Sequence, residues 1–325
     1  MRARARFTLL NIPRQTHLRG EDDNVSRNLK ITLAYDGAEF HGWQIQPGFP
    51  TVQGVLADCI GRITGENVLP QGSGRTDAGV HALAQVASVR LNSPIPERNL
   101  RIALNDILPP AIRVAGVEIV EDSFHARHSA TVKTYRYRIY RDDICPPFLA
   151  RYVYHDPYPM DEDAMIQASE CIVGTFDFTS FAASDRERTA RIAGLQPSRS
   201  ECARGGAMAV SREDIDEVLT KIGTHSLEIY EDNGSDALTQ KMGNVRTIHS
   251  SLWARTDEEF SYTVRGNGFL HHMVRNLVGT FLQVGKGALK PQDVLAILAA
   301  KNRSAAGATA PARGLYLVSV EYGML

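Results

Sequence analysis

The chain has 325 residues, of which 43% are hydrophobic and 22% charged, and its formal net charge is −1. These values are typical of a soluble globular protein with one extended domain or two subdomains. No apolar run approaches the roughly 20 residues that a membrane helix needs. The four cysteines (Cys59, Cys145, Cys171 and Cys202) lack CxxC spacing, which argues against a zinc site and a disulfide framework. The composition therefore indicates a cytoplasmic protein.

Charge is unevenly distributed along the chain. Residues 194–243 contain nine acidic and five basic residues, so the remainder carries a net charge of +3, mostly through arginine. Because arginine binds phosphate at two points and stacks on bases, this distribution permits an RNA partner. The acidic stretch is flanked by turn signals, which is typical of an insertion. Residues 1–27 begin with alternating arginines and lack the apolar core of a secretory signal, and we interpret them as a disordered basic arm.

Periodic apolar residues predict strands and helices that alternate along the chain. In chain order the predicted elements are a strand (29–35), a helix between Thr51 and Gly65, a strand (84–91), a helix (96–108), strands (112–120 and 133–140), a helix (161–172), a strand (260–265), two helices (269–284 and 291–300) and a closing strand (315–322). Such alternation favours an α+β fold with helices on one side of a mainly antiparallel sheet.

The strand at 133–140 is the clearest of these. Its residues Tyr135, Tyr137 and Ile139 share one face, and Arg136 and Arg138 share the other. Aromatic rings beside arginines suit a surface that stacks bases and holds phosphates. A strand with an aromatic core face and a solvated basic face has the same pattern, so the strand by itself does not distinguish the two.

The decapeptide at residues 72–81 reads Gly-Ser-Gly-Arg-Thr-Asp-Ala-Gly-Val-His. It places a carboxylate, a guanidinium, a hydroxyl and an imidazole among three glycines, which allow backbone to approach a ligand closely. The stretch lies between two periodic segments, so we expect a loop that presents Arg75 and Asp77. Such a loop is either an active-site loop or a tight turn in which the aspartate bonds its own backbone.

Two further segments are dense in functional groups. Residues 124–127 read Phe-His-Ala-Arg, and residues 267–276 include His271, His272 and Arg275 near a predicted helix start. Spacings of three and four place these side chains on one side of the helix. Two histidines suggest a metal, but no third ligand lies at useful spacing, so we predict no metal site. A helix N-terminus near a phosphate is the favoured interpretation.

These segments together resemble the TruA-type tRNA pseudouridine synthases. The matching pieces follow the order of that family and span most of residues 28–325, and the first of them is highly specific; they are residues 74–81, 124–127, 135–137, 177–181, 271–276 and 314–318. The resemblance implies an isomerase without cofactor or metal. In its reaction the glycosidic C–N bond of a uridine breaks, the base turns, and C5 bonds to C1′ of the same ribose.

The resemblance also implies roles for individual residues. It makes Asp77 the catalytic nucleophile, attacking either C6 of the ring or C1′ of the sugar. Further residues are implied to bind the substrate or to hold the aspartate: Tyr135 against the flipped uracil with its hydroxyl available for proton transfer from C5, Arg75 in displacing the base, Arg275 as the cation paired with Asp77, and Arg127 and His271.

The resemblance further implies an architecture and partners. Two ferredoxin-like or RRM-like subdomains, residues 28–130 and 131–325, share a continuous sheet with helices on one side and an RNA cleft on the other. We expect a cytoplasmic homodimer that binds the anticodon arm of tRNA and modifies uridines at the 3′ side of the anticodon loop and adjoining stem (tRNA positions 38–40). The acidic insertion is longer than this family leads us to expect, and we predict that it lies away from the active site.

Three alternatives belong to other classes. A catalytically silent RNA-binding module would use the same arginines and tyrosines, but would have no need of Asp77 opposite Arg275. A nucleotide-binding protein could use residues 72–79 as a phosphate loop, but the pattern lacks the GK[ST] ending. A histidine-based hydrolase would need a serine or cysteine nucleophile on an elbow, which is not evident.

Overall fold

The computed structural model describes residues 26–183 and 243–323. The predicted basic arm (1–27), apart from its last two residues, and the predicted acidic insertion (194–243), apart from Gly243, lie outside these ranges. None of the helices in the described part of the chain is long and apolar enough to cross a membrane.

The described strands form one sheet. In chain order they are β1 (Arg27–Tyr35), β2 (Gln71–Gly72), β3 (His81–Leu91), β4 (Ile112–Val120), β5 (Ala130–Tyr140), β6 (Tyr154–His155), β7 (Gly174–Asp177), β8 (Val245–Arg255), β9 (Glu259–Gly266) and β10 (Leu315–Tyr322). The main path is β4-β1-β3-β10-β5-β9-β8-β7, with β2 on β3 and β6 on β5. Apart from β3–β10 and β5–β6, the pairs are antiparallel. The predicted α+β class with a continuous, mainly antiparallel sheet is confirmed, and the division into subdomains stays a prediction.

Helix boundaries follow local capping signals. The helices of the described ranges are α1 (Val52–Thr64), α2 (Glu97–Ile107), α3 (Glu162–Glu170), α4 (Met273–Gly285) and α5 (Asp293–Ala300). The Thr51 hydroxyl accepts from the Gly54 amide at 3.3 Å, and Gly65 ends α1 in the left-handed conformation with φ +77°. Helix α4 begins at Met273, later than the predicted start at 269, because the preceding residues form a loop.

Strands β2, β6, β7 and β8 are absent from the sequence prediction. The longest, β8, contains the run Thr-Ile-His-Ser-Ser at residues 247–251, which shows no apolar alternation. Pairing with β9 on one side and β7 on the other fixes this segment as a strand. Its conformation is therefore a product of tertiary context rather than of its own pattern.

One row of paired residues crosses the centre of the sheet. Tyr35 of β1 lies opposite Ala82, Ala82 opposite Leu317, and Leu317 opposite Tyr135 of β5. Paired residues share a face, so Tyr35 and Tyr135 project from the same side. The β3–β10 pair, which is parallel, joins the two halves of the sheet at this row.

That side of the sheet also carries the helices. Tyr137, two residues after Tyr135, pairs with Tyr262, whose ring centroid lies 5.3 Å from that of Phe281 in α4. On β1 the same face is fully buried at Leu29, where α1 and α2 contribute to one apolar core. The aromatic face of β5 is therefore a core face as well as the face that bears the functional side chains described next.

Candidate active site

The loop at residues 73–80, between β2 and β3, is fixed to the sheet and to the preceding segment. The Thr76 hydroxyl lies 2.8 Å from the Tyr35 hydroxyl, and the Thr76 carbonyl accepts from the Trp43 amide at 3.1 Å. The Gln85 side chain donates to the Gly74 carbonyl at 3.0 Å. The Val80 amide donates to the Asp77 carbonyl at 3.1 Å. The backbone is thus a tight turn, but it is closed by the Asp77 carbonyl and not by the Asp77 side chain, which makes other contacts.

Gly42 is pressed against this loop. Its φ is +86°, and a Cβ atom there would lie 2.4 Å from the Thr76 carbonyl oxygen. We expect Gly42→Ala to displace the backbone next to Asp77 and to lower kcat by about 100-fold, since a misplacement of about 1 Å has that effect. Single-turnover rates on tRNA check this. Gly48→Ala is the control, because Gly48 also has a positive φ of +76° but a Cβ atom there would have no other atom within 4 Å. Equal rates for the two variants would contradict the expectation.

The Asp77 carboxylate, which is 15% exposed, is surrounded by cationic or potentially cationic side chains. Arg275 Nη1 donates to Oδ2 at 3.0 Å. His271 Nε2 lies 3.1 Å from Oδ1, and His272 Nε2 lies 3.4 Å from Oδ2. The pairing with Arg275 that the family resemblance implies is present, and the two histidines face the same carboxylate.

The backbone before α4 brings these groups together. His272 adopts a left-handed conformation with φ +62°, which is uncommon outside glycine. The rings of His271 and His272 lie 3.9 Å apart. The expectation that the three side chains share one side of a helix was wrong, because only Arg275 belongs to the helix. The three side chains nevertheless meet at the Asp77 carboxylate. Arg275 Nε donates to the Ala310 carbonyl at 2.7 Å, which fixes the guanidinium.

The electrostatic environment keeps Asp77 ionised. Burial acts to raise the pKa of the carboxyl, but the hydrogen bond from His271 and the charges of His272 and Arg275 outweigh it. The net result is a pKa well below the usual value for aspartate. A carboxylate that is desolvated yet ionised at neutral pH can act as a nucleophile.

Tyr135 lies beside this loop. It is 8% exposed, and its ring meets Phe269 edge-on at a centroid distance of 5.1 Å. Burial, followed by the nearby Tyr35 and Asp77, raises the pKa of its hydroxyl. The phenol is therefore protonated throughout the neutral range.

The remaining predicted residues are placed differently. Arg75 is exposed, and its Nε donates to the Gln44 side chain at 3.1 Å. The Arg127 backbone amide donates to His125 Nδ1 at 3.0 Å, and the charge of the Arg127 side chain lowers the pKa of Lys133 in β5. The structure thus brings Asp77, His271 and Arg275 together, places Tyr135 beside them, and leaves Arg75 on the surface of the loop.

The sequence expectation of an RNA cleft on the side of the sheet opposite the helices stays a prediction. Tyr135 projects from the helix-bearing face, and Asp77 contacts the first turn of α4. The reason is that the loop folds over the same face that α4 covers.

The same groups satisfy the geometric requirement for a metal. One ligand atom from each of Asp77, His271 and His272 lies within 4.8 Å of the others. This third ligand is not evident from the sequence, because Asp77 lies 198 residues before Arg275 and is similarly far along the chain from the two histidines. Arg275 contacts the same carboxylate at 3.0 Å and adds a fixed positive charge, which disfavours a divalent cation.

Sequence reasoning missed two contributors to the site. The Lys133 ammonium donates to the Ser73 carbonyl at 2.6 Å, and Tyr35 contacts the loop through Thr76. The only signal for Lys133 is its position two residues before Tyr135, on the same face of the strand. For Tyr35 the signal is the alternation of its strand, which placed it on the buried face.

Tyr135→Phe tests the role of the hydroxyl apart from the ring. We expect turnover to fall by roughly 10²- to 10⁴-fold, the contribution of a positioned proton-transfer group, with tRNA affinity unchanged. Tyr262→Phe is the control, since its hydroxyl is buried against Ser251 at 2.8 Å and lies outside the site. Turnover and affinity measured in the same samples check this, and a Tyr135→Phe protein with wild-type turnover would contradict it.

Comparison with known proteins gives similarities that cover most of the chain. A family model described as tRNA pseudouridine synthase matches residues 222–323. The chain is 44% identical to tRNA pseudouridine synthase A of Solibacter usitatus, over 91% of this chain and all of that protein. It is 37% and 38% identical to proteins of the same name from Caldicellulosiruptor saccharolyticus and Brevibacillus brevis, each over 91% of this chain and all of the relative.

Proposed function

Because the chain belongs to the tRNA pseudouridine synthase family, we propose that it isomerises uridines at the 3′ side of the tRNA anticodon loop and adjoining stem, positions 38–40, with Asp77 as nucleophile. The observation that carries this proposal is the Asp77 carboxylate, held ionised by Arg275 at 3.0 Å on the same face as the Tyr135 ring. The relatives' coverage extends over the segments that supply all three side chains.

The chemistry balances within the substrate. Asp77 attacks C6 of the uracil or C1′ of the ribose, the C1′–N1 bond breaks, and the base turns. A C5–C1′ bond then forms, the bond between the substrate and the Asp77 carboxylate breaks, C5 loses its proton and N1 gains one. We propose that the Tyr135 hydroxyl takes part in the proton transfer from C5. Since product and substrate are isomers, the proposal requires no oxidant, reductant or group donor, and we propose no cofactor.

The target base must leave its stack before the active site can reach it, and this unstacking costs a few kcal/mol. The exposed Arg75 guanidinium, at the surface of the loop at residues 73–80, is suited to displace the base and hold the tRNA backbone. Stacking of the flipped uracil near Tyr135 contributes about 1–3 kcal/mol in return. We assign substrate contacts to Arg127 and His271 as well, the latter through its position 3.1 Å from the Asp77 carboxylate.

We also propose that the protein acts as a cytoplasmic homodimer in which one anticodon arm spans both subunits. The excess of arginine outside the acidic stretch supports an RNA partner. The acidic stretch would repel phosphate, so we place it away from the cleft. Deletion of residues 200–240 should leave tRNA affinity intact, and a folded deletion protein without tRNA affinity would contradict this placement.

A catalytically silent RNA-binding module is the competing function. Such a module gains nothing from a desolvated carboxylate, since a negative charge opposes phosphate binding. Three side chains from residues 271–275 converge on Asp77, which favours the enzyme.

Mapping the modification tests the proposed substrate. Unmodified tRNA transcripts with uridine at 38, 39 or 40, each also made with cytidine there, are incubated with the protein and mapped by carbodiimide-dependent primer extension. We expect one new stop per uridine and none at the cytidine. Modification only outside the anticodon arm would contradict the proposed positions.

A further inference from the structure

Residues 177–181 are among the segments that resemble the family, but they have no role in the scheme above. They include the last residue of β7 and a 3₁₀ helix. The Phe181 carbonyl accepts from the Asn276 side-chain amide at 2.7 Å, and the Ser180 hydroxyl accepts from the Asn302 backbone amide at 2.9 Å. The segment therefore contacts both helix α4 and the chain that leads from α5 to β10.

Asn276, the residue after Arg275 in α4, is the centre of a buried hydrogen-bond network. Its side chain is fully buried, and its amide oxygen accepts from the Thr309 hydroxyl at 2.7 Å and from Arg303 Nη2 at 3.0 Å. Arg303 Nη2 also donates to the Thr309 hydroxyl at 3.1 Å. Because a buried network with its partners in place specifies one arrangement of the groups that it joins, these contacts fix the residues around Thr309 relative to α4.

The segment held in this way is 306–310, which reads Ala-Gly-Ala-Thr-Ala. It belongs to no helix or strand, and its small side chains offer little apolar surface that could fix it. It lies so close to α4 that a Cβ atom at Gly279 would be 1.7 Å from the Ala308 carbonyl oxygen. The Gly307 amide donates to the Thr280 hydroxyl at 2.9 Å. The position of the segment therefore depends on polar contacts such as the network just described.

Ala310, the last residue of this segment, contacts Arg275 twice. Its amide donates to the Arg275 carbonyl at 3.1 Å, and its carbonyl accepts from Arg275 Nε at 2.7 Å. The other end of the guanidinium donates to the Asp77 carboxylate at 3.0 Å. If the Ala310 carbonyl moved, one end of a long side chain with many rotamers would be released, and misplacement of a group at a reacting centre by about 1 Å is costly to the rate.

We propose that Asn276 positions Arg275 for catalysis. Through Thr309 it holds the Ala310 carbonyl in place, and that carbonyl keeps the guanidinium on the Asp77 carboxylate. Since Asn276 is fully buried, it acts through Arg275 and not on the substrate. The inference rests on the proposed function, because it takes Asp77 as the reacting group.

A double-mutant cycle separates this role from a merely structural one. Thr309→Val keeps the shape of the side chain but removes the hydroxyl that donates to Asn276. We expect it to lower the single-turnover rate at saturating tRNA by about tenfold, within the range of coupling inside one hydrogen-bond network. In an Arg275→Met background the same change should alter the rate by less than about twofold, because the group that the network positions is gone.

Two further variants complete the cycle. Asn276→Ala should also lower the rate in the wild-type background and not in the Arg275→Met background. Thr309→Ser keeps the hydroxyl and should restore the rate to within about twofold of the wild type. Thr175→Val is the matched control, because it also removes a hydroxyl from a 2.8 Å contact between side chains, but at β7 on the edge of the sheet. Its effect on the rate should be small in both backgrounds.

Hydrogen exchange gives a second measurement, which needs no reaction. In protein with isotopically labelled arginine, the Arg275 Nε–H signal is identified by its absence from Arg275→Lys. This hydrogen is bonded to the Ala310 carbonyl, so we expect it to exchange about tenfold faster in Thr309→Val than in the wild type. Thr175→Val should leave its exchange unchanged.

The outcomes separate the two proposals. A wild-type rate for Thr309→Val, equal losses of rate in the wild-type and Arg275→Met backgrounds, or wild-type exchange of the Arg275 Nε–H would overturn the positioning role. Should Asn276→Ala fail to fold, Thr309→Val decides by the same criteria. A wild type that binds tRNA but forms no pseudouridine would overturn the proposed function, and faster exchange in Thr309→Val would then still support the positioning of Arg275.

Discussion

Asp77→Asn is expected to lower the rate of pseudouridine formation by at least about 10⁴-fold, the scale on which removal of a nucleophile acts. The amide is nearly isosteric with the carboxylate, but it cannot form the covalent bond that the proposed reaction begins with. Affinity for tRNA should be equal to or higher than that of the wild type, because a negative charge facing the substrate is removed. Single-turnover rates and filter binding on one transcript check both expectations.

Asp122→Asn is the matched control for this prediction. Asp122 is an exposed carboxylate that contacts Arg90 at 3.1 Å on the surface, so its replacement should leave the rate unchanged. Thermal unfolding of both variants establishes that they are folded. A folded Asp77→Asn protein whose rate is within about tenfold of the wild type would refute the assignment of the nucleophile.

Arg275→Met is expected to move the acid limb of the pH–rate profile to higher pH. The pKa of Asp77 is low because its hydrogen bond from His271 and the charges of His272 and Arg275 outweigh burial. Removing one cation raises that pKa. As the pH is lowered, the carboxylate of the variant is therefore protonated, and activity is lost, at a higher pH than in the wild type. We also expect kcat to decrease by about 10²- to 10³-fold at neutral pH, as when an electrostatic group that stabilises the transition state is removed.

Profiles of kcat/KM from about pH 8 down to the lowest pH at which all three proteins are folded check the shift. The wild-type limb should lie at the acid end of this range or below it, because the pKa of Asp77 is well below its usual value. Arg275→Lys is the comparison, since it keeps a charge but lacks the planar guanidinium that joins Asp77 to the Ala310 carbonyl. Its acid limb should lie between those of the wild type and Arg275→Met. Superimposable acid limbs for all three proteins would show that Arg275 does not set the ionisation of Asp77.

Local signals in the sequence were sufficient for much of the fold. The Thr51 cap and the left-handed Gly65 delimit α1, and alternation delimits β4 and β10, because these features depend on neighbouring residues alone. By contrast, β8 has no pattern of its own and is a strand because β9 and β7 pair with it. Its recognition requires knowledge of the sheet.

In the candidate site, too, local sequence predicted some features, whereas others depend on tertiary contacts. The residue types at 72–81 and 271–276 indicated functional side chains, and the family resemblance paired Asp77 with Arg275. His272 has a left-handed backbone that turns both histidines toward Asp77, and the residue type alone does not predict this conformation. The side of the sheet that carries the site depends on how the loop folds over β5, a long-range contact that local periodicity cannot specify.

Release of tritium from tRNA that carries C5-tritiated uridine is the most direct test of catalysis by Asp77. Formation of the C5–C1′ bond expels the C5 hydrogen, so release counts isomerisation events. We expect the wild type to release tritium in proportion to the pseudouridine formed and Asp77→Asn to release none. Binding of tRNA by the wild type without release from any tRNA would contradict this expectation and would favour the silent RNA-binding module.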